Sequence, residues 1–269
     1  MYGGRPDIPS MISYQNGVPS WVDLSTSEPA RAKTFYTTLF GWTYVDKIMG
    51  NGRFYSRAQL NGVDSAAIFG QGDAEIEQGI PARWNMYLNV DDIDVTASKV
   101  VSAGGTLIMD PFDATDAGRM ALFFDPMGAV VALWQSSRGK TAPRVVNEPG
   151  AVTWYELMTR DSDTASNFYA DLFGWRSHSV DFERGDYILF HLDDHYPVGG
   201  MVEMDDSYIG VRPHWMVYFA VADCDAAAMV AVQNAGKIVI PPTDIVRGRF
   251  AVLSDPQGAT FAVMTVNEE

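Results

Sequence analysis

Two short stretches of the chain set an acid beside an indole: Trp21-Val22-Asp23 and Trp154-Tyr155-Glu156. Side chains two apart on a β-strand share a face, so as strands these stretches put carboxylate and indole on one wall. Apolar surroundings disfavour the charged form of a carboxyl and raise its pKa toward the range a general base or acid needs near neutrality. Asp23 and Glu156 are therefore the candidate catalytic residues. The competing expectation is structural, each carboxylate accepting hydrogen bonds from a neighbouring strand, a tyrosine hydroxyl or a repeated arginine. Those arginines, Arg119 in AGRMALFFDP and Arg249 in RGRFAVLSDP, are expected either to pair with Asp23 and Glu156 across the sheet or to clamp an anionic ligand. His214, in RPHWMVYF, stands where the first half has Arg83 and reads as a rim histidine or a proton shuttle. His178, His191 and His195 fall on strand ends or turns. No phosphate loop, dinucleotide fingerprint, Ser-His-Asp order or zinc-ligand spacing accompanies these groups.

The elements that position them are written twice. WVDLSTSEPARAKTFYTTLFGW, from Trp21 to Trp42, is answered by WYELMTRDSDTASNFYADLFGW, from Trp154 to Trp175 (154 − 21 and 175 − 42 are both 133). Trp84 and Trp215, Arg119 and Arg249, and DPMGAVVALW from Asp125 and DPQGATFAVM from Asp255 continue the echo in nearly constant register. A register that drifts so little implies one unit duplicated in tandem. The expected division is a tail over 1–16, a first domain over 17–135, a linker over 136–149 and a second domain over 150–269.

Within the first half a strand over Val22 to Ser25 leads to Ser27, a suitable helix N-cap, with Pro29 in the first turn. Ala32, Phe35, Tyr36, Leu39 and Phe40 recur at helical spacing until Gly41 stops the helix. The second copy starts at Asp161 or Asp163 and runs through Phe168, Tyr169, Leu172 and Phe173 to Gly174. Strand-like runs follow over Phe54 to Leu60 and Ala66 to Phe69, and over Tyr187 to Leu192 and Gly199 to Met204. A second strand–helix unit spans Asn85 to Val90 and Asp94 to Ala103, with a counterpart at Met216 to Val221 and Ala226 to Ala235. Each half closes on strands flanking a DPxG turn, so each half reads as βαβββ written twice, an α+β fold. Trp42, Trp175, Trp84 and Trp215 alternate with the wall residues and are expected in the core.

Bulk composition narrows the function classes. A formal net charge of −15, from 19 basic and 34 acidic residues, is unsuited to nucleic acid or anionic membranes. The single cysteine, Cys224, rules out an intramolecular disulfide and a cysteine-rich metal site. No stretch approaches the length of a membrane span, and the N-terminus lacks a signal-peptide pattern, so the expected location is the cytoplasm. A monomer or a homodimer that takes a small organic ligand is the expected form.

The paired FYxxLFGW segments, the second strand–helix start and the DPxG hairpin resemble the vicinal-oxygen-chelate superfamily, which includes glyoxalase I, bleomycin-resistance proteins and extradiol dioxygenases. The tandem arrangement is similar to an actinobacterial two-domain glyoxalase-like subgroup whose members are labelled glyoxalase-like or hydroxylase. The resemblance implies two half-barrel sheets, each able to hold a divalent ion on inward-facing ligands. The first ligand position falls on Trp21 and Trp154, the last on Ala132 and Ala262, and another aligns with Asn85 and Met216. Indole and methyl groups have no lone pair for a cation. Only Gln59 and His191 remain as candidates, so no metal and no other cofactor is expected. The same inward register turns Asp23 and Glu156 into the cavities, with Asn85, Tyr87, Asn89, Val130, Ala132 and Trp134 in one and Met216, Tyr218, Thr260, Ala262 and Met264 in the other. Trp21, Asn85, Tyr87, Trp134, Trp154, Tyr218, Met264, His214, Arg119 and Arg249 are the candidate substrate-binding residues. Two functions stay open: metal-independent acid/base chemistry on an aromatic or carbonyl compound, with natural-product tailoring as one setting, and drug sequestration of the bleomycin-resistance type. A metal-dependent glyoxalase or dioxygenase is what fold alone suggests.

Overall fold

Alternation of Val22 and Leu24 against Trp21 and Asp23 builds the central strand of the first half, β1 (Pro19–Thr26), whose even positions are fully buried. The structure, a computed structural model, describes residues 14–49, 52–137, 144–182, 185–193 and 197–266. His195 and most of the expected N-terminal tail lie outside them, as does much of the expected linker. After β1 come α1 (Pro29–Phe40), β2 (Thr43–Ile48), β3 (Phe54–Leu60), β4 (Val63–Gly70), α2 (Asp73–Glu77), β5 (Arg83–Asn89), α3 (Ile93–Ser102), β6 (Thr106–Thr115), β7 (Gly118–Phe124) and β8 (Val130–Ser136). Among the described residues the second half repeats this without a counterpart of α2: β9 (Val152–Thr159), α4 (Ser162–Phe173), β10 (Arg176–Phe182), β11 (Gly185–His191), β12 (Pro197–Glu203), β13 (His214–Ala220), α5 (Cys224–Gln233), β14 (Lys237–Ile245), β15 (Gly248–Ser254) and β16 (Thr260–Val266).

Each half is one eight-stranded sheet, ordered β2-β3-β4-β1-β5-β8-β7-β6 and β10-β11-β12-β9-β13-β16-β15-β14. The two βαβββ units of a sheet meet at the antiparallel pairs β1/β5 and β9/β13, while β1/β4, β5/β8 and their counterparts are parallel. The fold is thus the expected α+β duplication.

Helix ends follow local chemistry. Gly41 and Gly174 stop α1 and α4 at φ 73° and 71°, a left-handed conformation that costs glycine little. Asp161 caps α4 by accepting from the Thr164 N–H, and Asp92 and Asp223 do the same for α3 and α5. The expected cap Ser27 does not serve α1. Glu28 holds the cap position without a side-chain bond, and Pro29 at the first helical position has no N–H to satisfy. Cys224 is buried in the first turn of α5. α2 escapes sequence reading because five residues cannot display a helical period. Among the described residues no helix is long and apolar enough to cross a membrane.

The helix-side faces of both sheets and the four long helices share one apolar core. Tyr36 stacks on Trp42 (centroids 5.6 Å apart) and meets Trp84 edge-on, and Tyr169 repeats this on Trp175 (5.1 Å) and Trp215. Such aromatic pairs add about 0.5–1.5 kcal/mol each beyond area burial. The halves are also locked by polar bonds. Tyr36 Oη donates to Asp255 Oδ2 (3.2 Å) and Tyr169 Oη to Asp125 Oδ2 (3.1 Å), each from a helix of one half to the DPxG turn of the other. Trp42 Nε1 donates to the Gly150 carbonyl (2.7 Å) and Trp175 Nε1 to that of Gly17 (3.1 Å).

Candidate functional site

On the face of each sheet opposite the helices, the central strand brings its carboxylate into a network of aromatic hydroxyls. The β1/β5 register sets Asp23 opposite Asn85 and Trp21 opposite Tyr87, and β5/β8 sets Tyr87 beside Ala132. Asn85 Nδ2 donates to Asp23 Oδ1 (2.9 Å), and Tyr87 Oη and Tyr55 Oη donate to Oδ2 (2.7 and 3.2 Å). Trp21 Nε1 in turn donates to Tyr55 Oη (2.8 Å). The second half repeats the chain: Trp154 Nε1 donates to Tyr187 Oη (2.8 Å), Tyr218 Oη donates to Glu156 Oε1 (2.7 Å), and Tyr187 also bonds Glu156. The pleat puts Tyr55 and Tyr187 on this face, and the strand order places them within reach of β1 and β9.

Burial dominates the electrostatics. Asp23 is only 1% exposed, and desolvation pushes its carboxyl up to about 6 despite the opposing bonds from Asn85, Tyr87 and Tyr55 and the charge of Arg83. Glu156 is half-buried, and desolvation raises it too, against the bonds from Tyr218 and Tyr187. Around the first carboxylate an apolar floor is formed by Trp21, Met120, Leu122, Val130 and Trp134; around the second, by Trp154, Met216, Val252, Phe250 and Met264. The arrangement can hold a proton on a carboxyl near neutral pH while presenting flat apolar surface beside it. Two surface grooves, of about 620 and 470 Å³, lie elsewhere, at α3/β6 and at the start of α1, and neither is lined by these carboxylates. The chemistry, not groove size, marks the site.

Of the expected binding residues, Asn85, Tyr87 and Tyr218 bond the carboxylates, and Trp21, Trp134, Trp154 and Met264 lie in the apolar clusters on the same faces. Asn89 shares the face but gives its amide to the Tyr14 carbonyl (2.9 Å). Arg119 and Arg249 do not pair with Asp23 and Glu156. They share a face with Ala121 and Phe123, and with Ala251 and Leu253, on the helix side of their strands, where Arg119 pairs with Asp94 (2.5 Å) and Arg249 with Asp225 (2.6 Å) and Asp244 (2.7 Å). A helix aspartate is nearer than any group across the sheet. His214 lies half-buried on the concave face of β13, its Nδ1 2.8 Å from the Arg212 carbonyl. Tyr55 and Tyr187 are functional candidates that sequence reading missed. Extending the repeat register into β3 and β11 would have paired them.

A superfamily metal needs several converging donors. Trp21, Ala132 and their partners Trp154 and Ala262 supply none, and Gln59 is bonded to Asp64 (2.7 Å), which also pairs with Arg57. His191 lies against His178, ring centroids 6.4 Å apart. Among the described residues no three His, Cys, Asp or Glu side chains converge. The residues present do not fit such an ion.

One contact tunes the second network. A Cβ at Gly200 would collide with Tyr187 Oη, whereas the matching position beside Asp23 carries Ala67. Glycine lets the tyrosine lie flat on β12 and reach Glu156. Gly200→Ala is expected to displace Tyr187 and cost about 1–3 kcal/mol by overpacking in urea unfolding. Unchanged stability would show that Tyr187 does not need this cradle.

Sheets built from paired βαβββ units, with a ligand face opposite the helices, define the vicinal-oxygen-chelate class of protein. The model of the Glyoxalase/Bleomycin resistance protein/Dioxygenase superfamily matches residues 19–133 and 151–263, and the chain belongs to that family. It is 45% identical to the "Putative glyoxylase CFP32" of Mycobacterium tuberculosis over 96% of this chain and 98% of that one. It is 35% identical to the anthracycline biosynthesis protein DauV of Streptomyces sp. strain C5, over 96% of each. The fold is shared with the Mn(II)-bound glyoxalase of Novosphingobium aromaticivorans (TM-score 0.63, 15% identity, 96% and 84% coverage). It is shared equally with the 2,3-dioxygenase LapB of Pseudomonas sp. KL28 (TM-score 0.63, 16% identity, 94% of each chain).

Proposed function

We propose that this protein binds a flat aromatic or carbonyl-containing organic molecule and moves a proton on it without a bound metal ion. The observation that carries the reading is the twice-written indole–tyrosine–carboxylate–tyrosine network on the ligand face. A carboxyl that burial raises above the ordinary carboxylate range, as at Glu156, is matched to general acid/base work. Tyrosine hydroxyls beside it are placed to donate to an oxygen on which negative charge develops. Indole, methionine and phenylalanine floors favour stacking of planar rings. Relatives named for anthracycline biosynthesis support a polycyclic aromatic ligand, since anthracyclines are flat fused-ring compounds.

The test uses 2-tetralone, a benzo-fused cyclic ketone whose benzylic C–H lies beside the carbonyl and exchanges with solvent, followed by proton NMR in deuterium oxide. Protein dialysed against a chelator is expected to accelerate exchange on the order of 10²-fold or more over buffer, as a positioned acid/base group does. Adding manganese or zinc should not change the rate. Exchange at the buffer rate with the ketone bound would overturn the reading in favour of sequestration, and exchange restored only by metal would overturn its metal independence.

A further inference from the structure

The two networks share a plan but differ in access, and the differences lie on one side. Asp23 is sealed at 1% exposure, its oxygens taken by three donors, and Asn85 is itself engaged by Arg83 Nε (3.2 Å). Arg83 is held in turn by Glu75 of α2 (3.2 Å), which closes that end of the first face. In the second half each of these parts is replaced. Met216 stands opposite Glu156 where Asn85 stands opposite Asp23, so two tyrosines and no amide donate to a carboxylate on a residue that is partly exposed. His214 takes the place of Arg83, and no helix matches α2 among the described residues.

The imidazole is oriented for use. A carbonyl only accepts, so His214 Nδ1, 2.8 Å from the Arg212 oxygen, carries the proton and Nε2 keeps its lone pair. The β9/β13 register sets His214 opposite Met158 and Glu156 opposite Met216, which makes histidine and glutamate diagonal neighbours on one face. Burial lowers the pKa of the imidazole and so favours its neutral form.

Building on the proton-transfer reading above, we infer that the halves divide the work: the second half takes the ligand, with Glu156 and His214 as its proton-transfer pair, and the first half's Asp23 network is a structural strut. In this scheme the Glu156 carboxylate takes the proton from the carbon beside the ligand's carbonyl, and the C–H electron pair moves to the carbonyl oxygen as an enolate. Tyr218, released as Glu156 becomes neutral, donates to that oxygen. His214 Nε2 passes the proton on to water, and a solvent proton returns by the same route.

Glu156→Gln is expected to remove the accelerated 2-tetralone exchange, and one 2-tetralone is expected to bind per chain. His214→Ala should slow the exchange, with recovery on adding free imidazole, which a packing defect would not show. Met216→Trp, which fills the floor beside Glu156 without touching the acid, should abolish quenching of protein fluorescence by 2-tetralone. Accelerated exchange retained in Glu156→Gln, or two ligands bound per chain, would overturn the division while leaving the proton-transfer reading intact. Failure of the unaltered protein to exchange sinks that reading instead.

Discussion

Asp125→Ala is expected to lower unfolding free energy by about 3–5 kcal/mol, and Asp255→Ala by a similar amount. Asp125 Oδ1 accepts from the N–H groups of Met127 and Ala129 (3.0 and 2.8 Å), while Oδ2 accepts from Tyr169 Oη (3.1 Å). Tyr169 Oη also receives Trp215 Nε1 (2.8 Å), so the carboxylate ends a buried chain that crosses between the halves. Truncation leaves several donors without an acceptor, each worth about 1–3 kcal/mol when buried. Asp255 has the same partners by repeat: Gln257, Ala259 and Tyr36, the last receiving Trp84 Nε1 (3.0 Å). Because the lock spans both halves, urea unfolding followed by fluorescence and circular dichroism should still give one coincident transition, shifted to lower urea. A loss under about 1 kcal/mol, or separate transitions for the two halves, would contradict this account of how the halves are held.

The second large effect is a slope of stability with pH. Asp23 ionises at about 6 in the fold against a reference of 3.8, so between these values the folded chain binds the proton more tightly than the unfolded one. Its contribution is therefore fully present below about pH 4 and is lost as pH rises through about 6, a change of about 3 kcal/mol. Asp23→Asn removes this slope. Glu156, Asp125 and Asp255 are also raised by burial and slope the same way, so the variant keeps part of the unaltered protein's pH dependence. Urea midpoints at matched pH values from 4 to 8 should give curves for the two proteins that diverge across this window. Parallel curves would mean Asp23 titrates as an ordinary aspartate.

Much of the fold and part of the site are legible in the order of residues alone. Duplication announces itself through Trp21/Trp154 and the DPxG turns, and strand alternation by itself puts Asp23 and Glu156 beside their indoles. What stays hidden depends on contacts far apart in sequence. Nothing local says that Asp125 reaches Tyr169 or that Tyr55, two strands over, reaches Asp23. Arg119 and Arg249 mislead because repetition marks a position as constrained without saying which face it serves. Their odd-numbered companions Ala121, Phe123, Ala251 and Leu253, all apolar, carry the information that they point at the helices. The asymmetry between Asp23 and Glu156 is visible only as single substitutions, Asn85 against Met216 and Arg83 against His214, whose meaning needs burial.

The most direct test is a pH titration of the side-chain carboxyl carbons by ¹³C NMR, with and without one equivalent of Mn²⁺. Asp23 is expected to titrate near 6 and Glu156 above an ordinary glutamate, with neither resonance broadened by the paramagnetic ion. An ordinary aspartate midpoint for Asp23, or selective broadening of either carboxyl at stoichiometric Mn²⁺, would contradict this expectation.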